Sequence, residues 1–163
     1  MNNKSIIIPI MFLIVGLVAV SGCISTNGNN TTSIKNYTGN GLSVNYPSDW
    51  TIHNDTEGIL LFFKNSGTNT QLTIQTMLQS SPDLSDESFI PPIGNITMVS
   101  KTSRTIDNTT AKELIYKSDL LMYGTTYFEK NGKTFIINYQ APINEFKNET
   151  ANFDIIINSI KVQ

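Results

Sequence analysis

Two side chains in this sequence are of the kind that carry out covalent or metal chemistry, one cysteine and one histidine, and neither has the company such chemistry needs. Cys23 has no second cysteine with which to form an internal disulfide, and an odd cysteine calls for another use. His53 alternates with Asp55 and Glu57, a spacing that lets three side chains point the same way at a strand end and hold a divalent ion weakly. A firm site takes three or four ligands in set geometry, each supported by further hydrogen bonds, and there is no second imidazole to contribute. Asp83, Asp86 and Glu87 form an acidic stretch, but Gly94 stands where a calcium loop counted from Asp83 needs its terminal glutamate. No Gly-x-Ser-x-Gly, no phosphate-binding glycine loop and no Cys-x-x-Cys occurs, and nothing local supports a Ser/His/Asp arrangement built on His53. These residues predict a protein that is not an enzyme, with no catalytic residue, no metal ligand and no cofactor. A solvated polar turn after Trp50 is the simpler reading of the His53 stretch.

The neighbourhood of Cys23 offers it a different role. Lys4 supplies a short positive start, and Ile6 to Val20 is an almost unbroken apolar run interrupted only by Pro9 and Gly16. That run is shorter than the ~18 residues of a comfortable membrane span and ends in small residues, as a secretory leader does. It closes on Val20-Ser21-Gly22-Cys23, which resembles the lipobox of bacterial and archaeal lipoproteins. The resemblance implies lipid on the Cys23 sulfur and cleavage that leaves Cys23 as the new N-terminus. Each buried CH₂ of such a lipid adds about 0.8 kcal/mol of membrane affinity, so two chains make a stable anchor. A leader retained as a transmembrane anchor, or a free buried cysteine, is the alternative. The expected location is the extracytoplasmic face of the cell membrane, with the membrane reached through the lipid.

After Cys23 the composition turns polar and small from Ser25 to Ser33, too poor in apolar residues to offset the entropy of ordering. The expected organisation is therefore a leader over 1–22, a flexible tether over 23–36 and one domain over 37–163. The formal net charge is −2, with lysines scattered singly, which argues against a nucleic-acid partner held by a basic stripe. Asn-x-Ser/Thr sequons fall at Asn29, Asn30, Asn36, Asn54, Asn95, Asn108 and Asn148, a modest excess over chance. In an exported chain each is a candidate N-glycosylation acceptor.

The elements of the domain are legible as periods. Leu42, Val44 and Tyr46 alternate with Ser43 and Asn45 as in a half-buried strand, broken by Pro47-Ser48-Asp49 before Trp50 and Ile52. Gly58 to Lys64 is a short continuous apolar run, Asn65 to Asn69 reads as a turn, and Leu72, Ile74 and Thr76 resume the alternation. Residues 79–94, stopped by Pro91-Pro92, read as an exposed excursion in which Pro82 to Phe89 starts a short helix at most. Ile96 to Ile106 and Lys112 to Lys117 read as strands. In "TTYFEKNGKTFIINY", Asn131-Gly132 can both take the positive φ of a two-residue type I′ turn, which sets Phe128 opposite Phe135 and Thr126 opposite Ile137. Cross-strand pairs of this kind contribute roughly 0.2–1 kcal/mol each. Phe146, Phe153, Ile156, Ile157 and Ile160 fall at helical spacing on a C-terminal helix that starts after Pro142 or near Asn152. Trp50 and Tyr46 are expected to pack the sheet edge against that helix rather than form a recognition surface. Tyr116, Tyr123, Tyr127 and Tyr139 fit strand positions, and none stands out as a binding residue. The fold class is α+β, an antiparallel sheet covered by helix.

The stretches "YTGNGLSVNYPSDW" (37–50), "AKELIY" (111–116), "YFEKNGKTFIINYQAP" (127–142) and "FDIIINSIKV" (153–162) resemble the PsbP family in the right order. That family comprises extrinsic proteins of the photosystem II oxygen-evolving complex and non-photosynthetic relatives, prokaryotic lipoproteins among them. The resemblance implies an antiparallel β-sheet with flanking helices, a PsbP-like α/β/α sandwich with the C-terminal helix packed on the sheet. It also implies a non-catalytic accessory role on a membrane-associated complex. The short, proline-interrupted middle segment and the lipobox depart from the plant members, so no photosynthetic role is carried over. The chain reads as a lipid-anchored accessory or scaffold domain with a protein partner; the alternative is a small-ligand or metal-ion binding lipoprotein that would use the His53 stretch.

Overall fold

The computed structural model describes residues 33–54, 58–78 and 95–163. The leader, Val20, Ser21, Gly22, Cys23, Asn29 and Asn30 lie outside the described residues, as do Asp55, Glu57 and the 79–94 excursion with its three acidic residues. The described elements are β1 (Ile34–Gly39), β2 (Leu42–Pro47), β3 (Trp50–Asn54), β4 (Ile59–Lys64), β5 (Gln71–Met77), β6 (Thr97–Ile106), β7 (Thr109–Lys117), β8 (Leu121–Lys130), β9 (Lys133–Pro142), α1 (Ile143–Ser159) and β10 (Lys161–Val162). They form a three-stranded sheet in the order β1-β2-β10 and a seven-stranded sheet in the order β3-β4-β5-β9-β8-β7-β6. Every strand pairing is antiparallel. Among the described residues α1 is the single helix, so a second helical layer is not among them.

Three hairpins turn on two residues with positive φ. Asn131 (φ 52°) and Gly132 (φ 72°) join β8 to β9, with Phe128 opposite Phe135 and Thr126 opposite Ile137 as the sequence predicts. Asn40 (φ 51°) and Gly41 (φ 73°) join β1 to β2, and Asp107 (φ 46°) and Asn108 (φ 61°) join β6 to β7. The last turn contains no glycine; Asp and Asn tolerate this region because their short polar side chains bond locally.

β1 begins at Ile34, inside the stretch expected to be tether. Its side chains from Ile34 to Asn36 are exposed, so no apolar period marks it. It is held instead by backbone pairing with β2 and by Asn36 Nδ2, which donates to Asn45 Oδ1 at 2.9 Å.

One face of the large sheet carries the main core. Leu60, Phe62, Leu72, Ile74, Phe135, Ile137 and Ala141 meet Leu42 and Val44 of β2 and Phe146, Phe153, Ile156 and Ile157 of α1. Trp50 is buried with its ring edge-on to Phe153 of α1 (5.9 Å, 84°), the packing expected of it, whereas Tyr46 leans on Phe62 of β4 at 5.7 Å. The opposite face holds a smaller cluster of Leu114, Tyr116, Tyr127 and Ile136. Strand alternation explains the split, since Leu114 and Tyr116 of β7 point away from Ala111 and Ile115.

The helix starts directly after Pro142, whose fixed φ suits a helix entry, and not at Asn152. Its buried face includes Glu149, only 5 % exposed, in the gap between Phe146 and Phe153. That carboxylate pairs with Lys64 of β4 and accepts from Asn152 Nδ2 at 2.9 Å, so an ion pair stands where the apolar stripe lapses. Ile160, placed by its spacing on the same stripe, is buried but lies at the C-cap. Ser159 Oγ accepts from Asn45 N at 2.8 Å and ties the helix end to β2.

Asp107 joins the two sheets. It accepts from Val162 N of β10 at 3.0 Å, pairs with Lys161 at 3.3 Å and with Lys130 of β8, while Lys130 Nζ also donates to the Asp107 carbonyl at 2.6 Å. The Lys130 hydrogen bond, followed by that of the Val162 amide, lowers the carboxyl pKa to about 2. A depressed folded-state pKa contributes stability that is present above the unfolded value of 3.8 and is lost as pH falls through about 2. Denaturation followed across this acid window should show that loss in the native chain and a flatter profile in Asp107→Asn. Separately, Glu149→Ala should lower urea-measured stability by about 1–3 kcal/mol by leaving the Lys64 ammonium without its buried partner.

Candidate functional site

His53 stands on edge strand β3, exposed, with Phe63 edge-on to its ring at 5.5 Å. Among the described residues no group of three or more His, Cys, Asp or Glu side chains is placed to hold a metal ion. The described sequon residues Asn36, Asn95, Asn108 and Asn148 are exposed, on a strand, before β6, in the β6–β7 turn and on α1 respectively; Asn54 ends β3.

The charged cavity lies elsewhere, at the seam between α1 and the β6–β7 edge of the sheet. It encloses about 350 Å³ and is lined by Arg104, Glu113, Ile115, Tyr139, Phe146, Thr150, Phe153 and Asp154. Arg104 on β6 and Glu113 on β7 reach the helix side because strand alternation aims both at that face, and Asp154 comes from the helix flank. Arg104 Nη1 donates to Glu113 Oε1 at 2.8 Å; Nη2 donates to Asp154 Oδ1 at 2.6 Å and Asn158 Oδ1 at 2.9 Å. Tyr139 OH donates to Glu113 Oε1 at 2.8 Å, and Thr102 Oγ1 donates to Glu113 Oε2 at 3.2 Å.

The electrostatics hold Arg104 charged and Tyr139 protonated. Burial works against the charge on Arg104, but its hydrogen bond to Asp154 and the charges of Glu113 and Asp154 outweigh that and raise its pKa. Burial, then the Glu113 charge, pushes the Tyr139 phenol far above its ordinary range, so it keeps the proton it donates. The result is a fixed guanidinium–carboxylate–phenol cluster with no activated nucleophile. It ties α1 to the sheet through Arg104 and Asp154.

The Tyr139 ring reaches Glu113 by lying across the backbone of its cross-strand partner. A Cβ on Gly124 would stand 2.0 Å from the Tyr139 ring, so only glycine admits the ring there. The ring then stacks on Phe146 (6.1 Å, 17°) and leans on Phe153 (4.9 Å). Of the four tyrosines noted in the sequence, Tyr139 alone lines this cavity; Tyr116 and Tyr127 belong to the opposite cluster, with Tyr123 packed against it. Arg104, Glu113 and Asp154 are not apparent as a set from sequence, although Arg104 is the only arginine in the chain. Gly124→Ala should displace the ring and destabilise the protein by about 1–3 kcal/mol, read by urea denaturation, with loss of the Tyr139–Glu113 bond read by NMR of the phenol.

The fold and this seam can be set beside known proteins. The solution structure of cyanobacterial PsbP (CyanoP) from Synechocystis sp. PCC 6803 superimposes with a TM-score of 0.63 at 15 % identity, covering 87 % of this chain and 100 % of that one. The Ran-binding protein Mog1p of Saccharomyces cerevisiae gives 0.54 at 8 % identity, over 80 % of this chain and 96 % of that one. A Bacteroides thetaiotaomicron protein gives 0.53 at 14 % identity, over 76 % of this chain and 45 % of its own. At such identities the likeness concerns the fold alone. No curated protein matches the sequence. The PsbP-like protein family model, however, matches residues 7–162, nearly the whole chain, and the chain therefore belongs to the PsbP-like protein family.

Proposed function

We propose that this protein is an exported, membrane-anchored lipoprotein of the PsbP-like family whose domain acts without catalysis, as an accessory or scaffold that binds another exported or membrane protein. The observation that carries the reading is the state of the charged cavity at the α1 seam. Its guanidinium bonds helix to sheet and its phenol bonds strand to strand, which suits a fixed recognition surface and supplies no reacting group. Family membership supports the same style of work and an extracytoplasmic setting.

In this reading residues 1–22 are a cleaved leader, Cys23 is the acylated N-terminus, and the tether runs from Cys23 to Ser33, since β1 takes Ile34 onward. Such a tether, extended at about 3.3–3.6 Å per residue, keeps the domain within reach of membrane neighbours. No described helix is long and apolar enough to cross a membrane. The exposed sequon asparagines are open to glycosylation in a host that has the machinery.

Labelled lipid should enter the native protein and not Cys23→Ser; equal incorporation in both would refute acylation at this residue. Crosslinking in intact cells should attach a reproducible protein partner to the native chain, and its absence would refute the accessory role.

A further inference from the structure

The α1 seam has more recognition chemistry than a structural clamp requires. Asp154 is a shared wall of two hollows, the 350 Å³ cavity already described and a shallower one of about 600 Å³ lined by Ile34, Asn45, Ala151, Ile155, Asn158 and Ser159. Together they run along one flank of α1 from Phe146 to Ser159. The floor is apolar and aromatic, and the charge is uneven: two carboxylates, Glu113 and Asp154, face one guanidinium. Asp154 remains 41 % exposed and commits only Oδ1 to Arg104.

That inventory selects among occupants. An anion would need Arg104, but both of its terminal nitrogens are engaged and carboxylates flank it. A neutral apolar group would strip water from Asp154 Oδ2 and return no hydrogen bond, at the cost of an unsatisfied charge. A cation meets the second oxygen of Asp154 and the surplus negative charge together.

We propose that this seam is a binding site for a cationic side chain, an arginine or lysine presented by the protein partner, seated against Asp154 beside the Tyr139–Phe146 stack. The inference rests on the protein-binding reading above and names the chemistry of its contact. The internal Arg104 pair serves as the template, because it already shows a guanidinium held by these same carboxylates at 2.6 and 2.8 Å. The partner's cation adds to that cluster without displacing it.

The test is an NMR titration of the full chain, purified from membranes in detergent, with acetyl-Gly-Arg-Gly-amide, acetyl-Gly-Lys-Gly-amide and, as control, acetyl-Gly-Gln-Gly-amide. The two cationic peptides should shift the ring signals of Tyr139, Phe146 and Phe153 saturably, and the glutamine peptide should not. Asp154→Asn keeps an acceptor for Arg104 and removes the charge, and should weaken cationic binding about tenfold. Asn158→Lys, at an exposed position 2.9 Å from Arg104, should weaken it similarly by placing a competing ammonium at the rim. Equal shifts with the glutamine peptide, shifts confined to another face, or unchanged affinity in both variants would overturn the proposal. Guanidinium chloride binding as tightly as the arginine peptide would also overturn it, by making the site one for free small cations. In-cell crosslinking separates the two readings. A partner captured equally by the native chain and Asp154→Asn leaves the accessory role standing and removes this contact. No partner for the native chain removes the accessory role, while the peptide titration still decides the site.

Discussion

A two-residue turn, Asn131-Gly132, sets the register on which the rest of this molecule depends. With both residues at positive φ, β8 and β9 can pair in one way only, because a slip by one residue would send every side chain to the wrong face. That register stacks Phe128 on Phe135 at 5.0 Å and lays Tyr139 over Gly124. β9 is also the interior strand that joins the β3-β4-β5 half of the large sheet to β8 and β7, and it runs directly into α1 at Ile143. Where β9 lies, the helix must begin, and the seam that holds Arg104, Glu113 and Asp154 forms beside it.

Around this frame the ionic groups act as long-range ties. Lys64 and Glu149 join β4 to the helix, Arg104 joins β6 to the helix, and Asp107 joins the β6–β7 turn to β8 and β10. Apolar packing supplies most of the stabilisation but is weakly directional. Hydrogen-bonded charges add direction, so each tie specifies how one element sits on another.

The same seam fixes the states of two of its polar groups. Tyr139 holds its proton because it is buried beside Glu113, and Arg104 holds its charge because carboxylates surround it. Neither group changes state near neutral pH. Tyr139 of the sheet stacks on Phe146 of α1 at 6.1 Å, so sheet and helix share one aromatic wall of the cavity.

Much of this architecture was legible in the sequence because its signals are local. Alternation at Leu42, Val44 and Tyr46 marked β2, the Asn-Gly pair marked the β8–β9 hairpin with its register, and Phe153, Ile156 and Ile157 marked the helix. Continued along the strands, that hairpin register already sets Gly124 opposite Tyr139. β1 and the Asp107-Asn108 turn were not legible, the one because its exposed side chains carry no apolar period, the other because it lacks the glycine that usually announces such a turn. The helix start was ambiguous because Glu149 interrupts the apolar stripe, and only the folded chain shows Lys64, 85 residues away, completing it. Arg104, Glu113, Tyr139 and Asp154 likewise meet across as many as 50 residues. Periodicity and turn chemistry are properties of neighbouring residues and can be read along the chain; which distant charges come within hydrogen-bonding reach depends on how sheet and helix pack, and that only the tertiary structure decided.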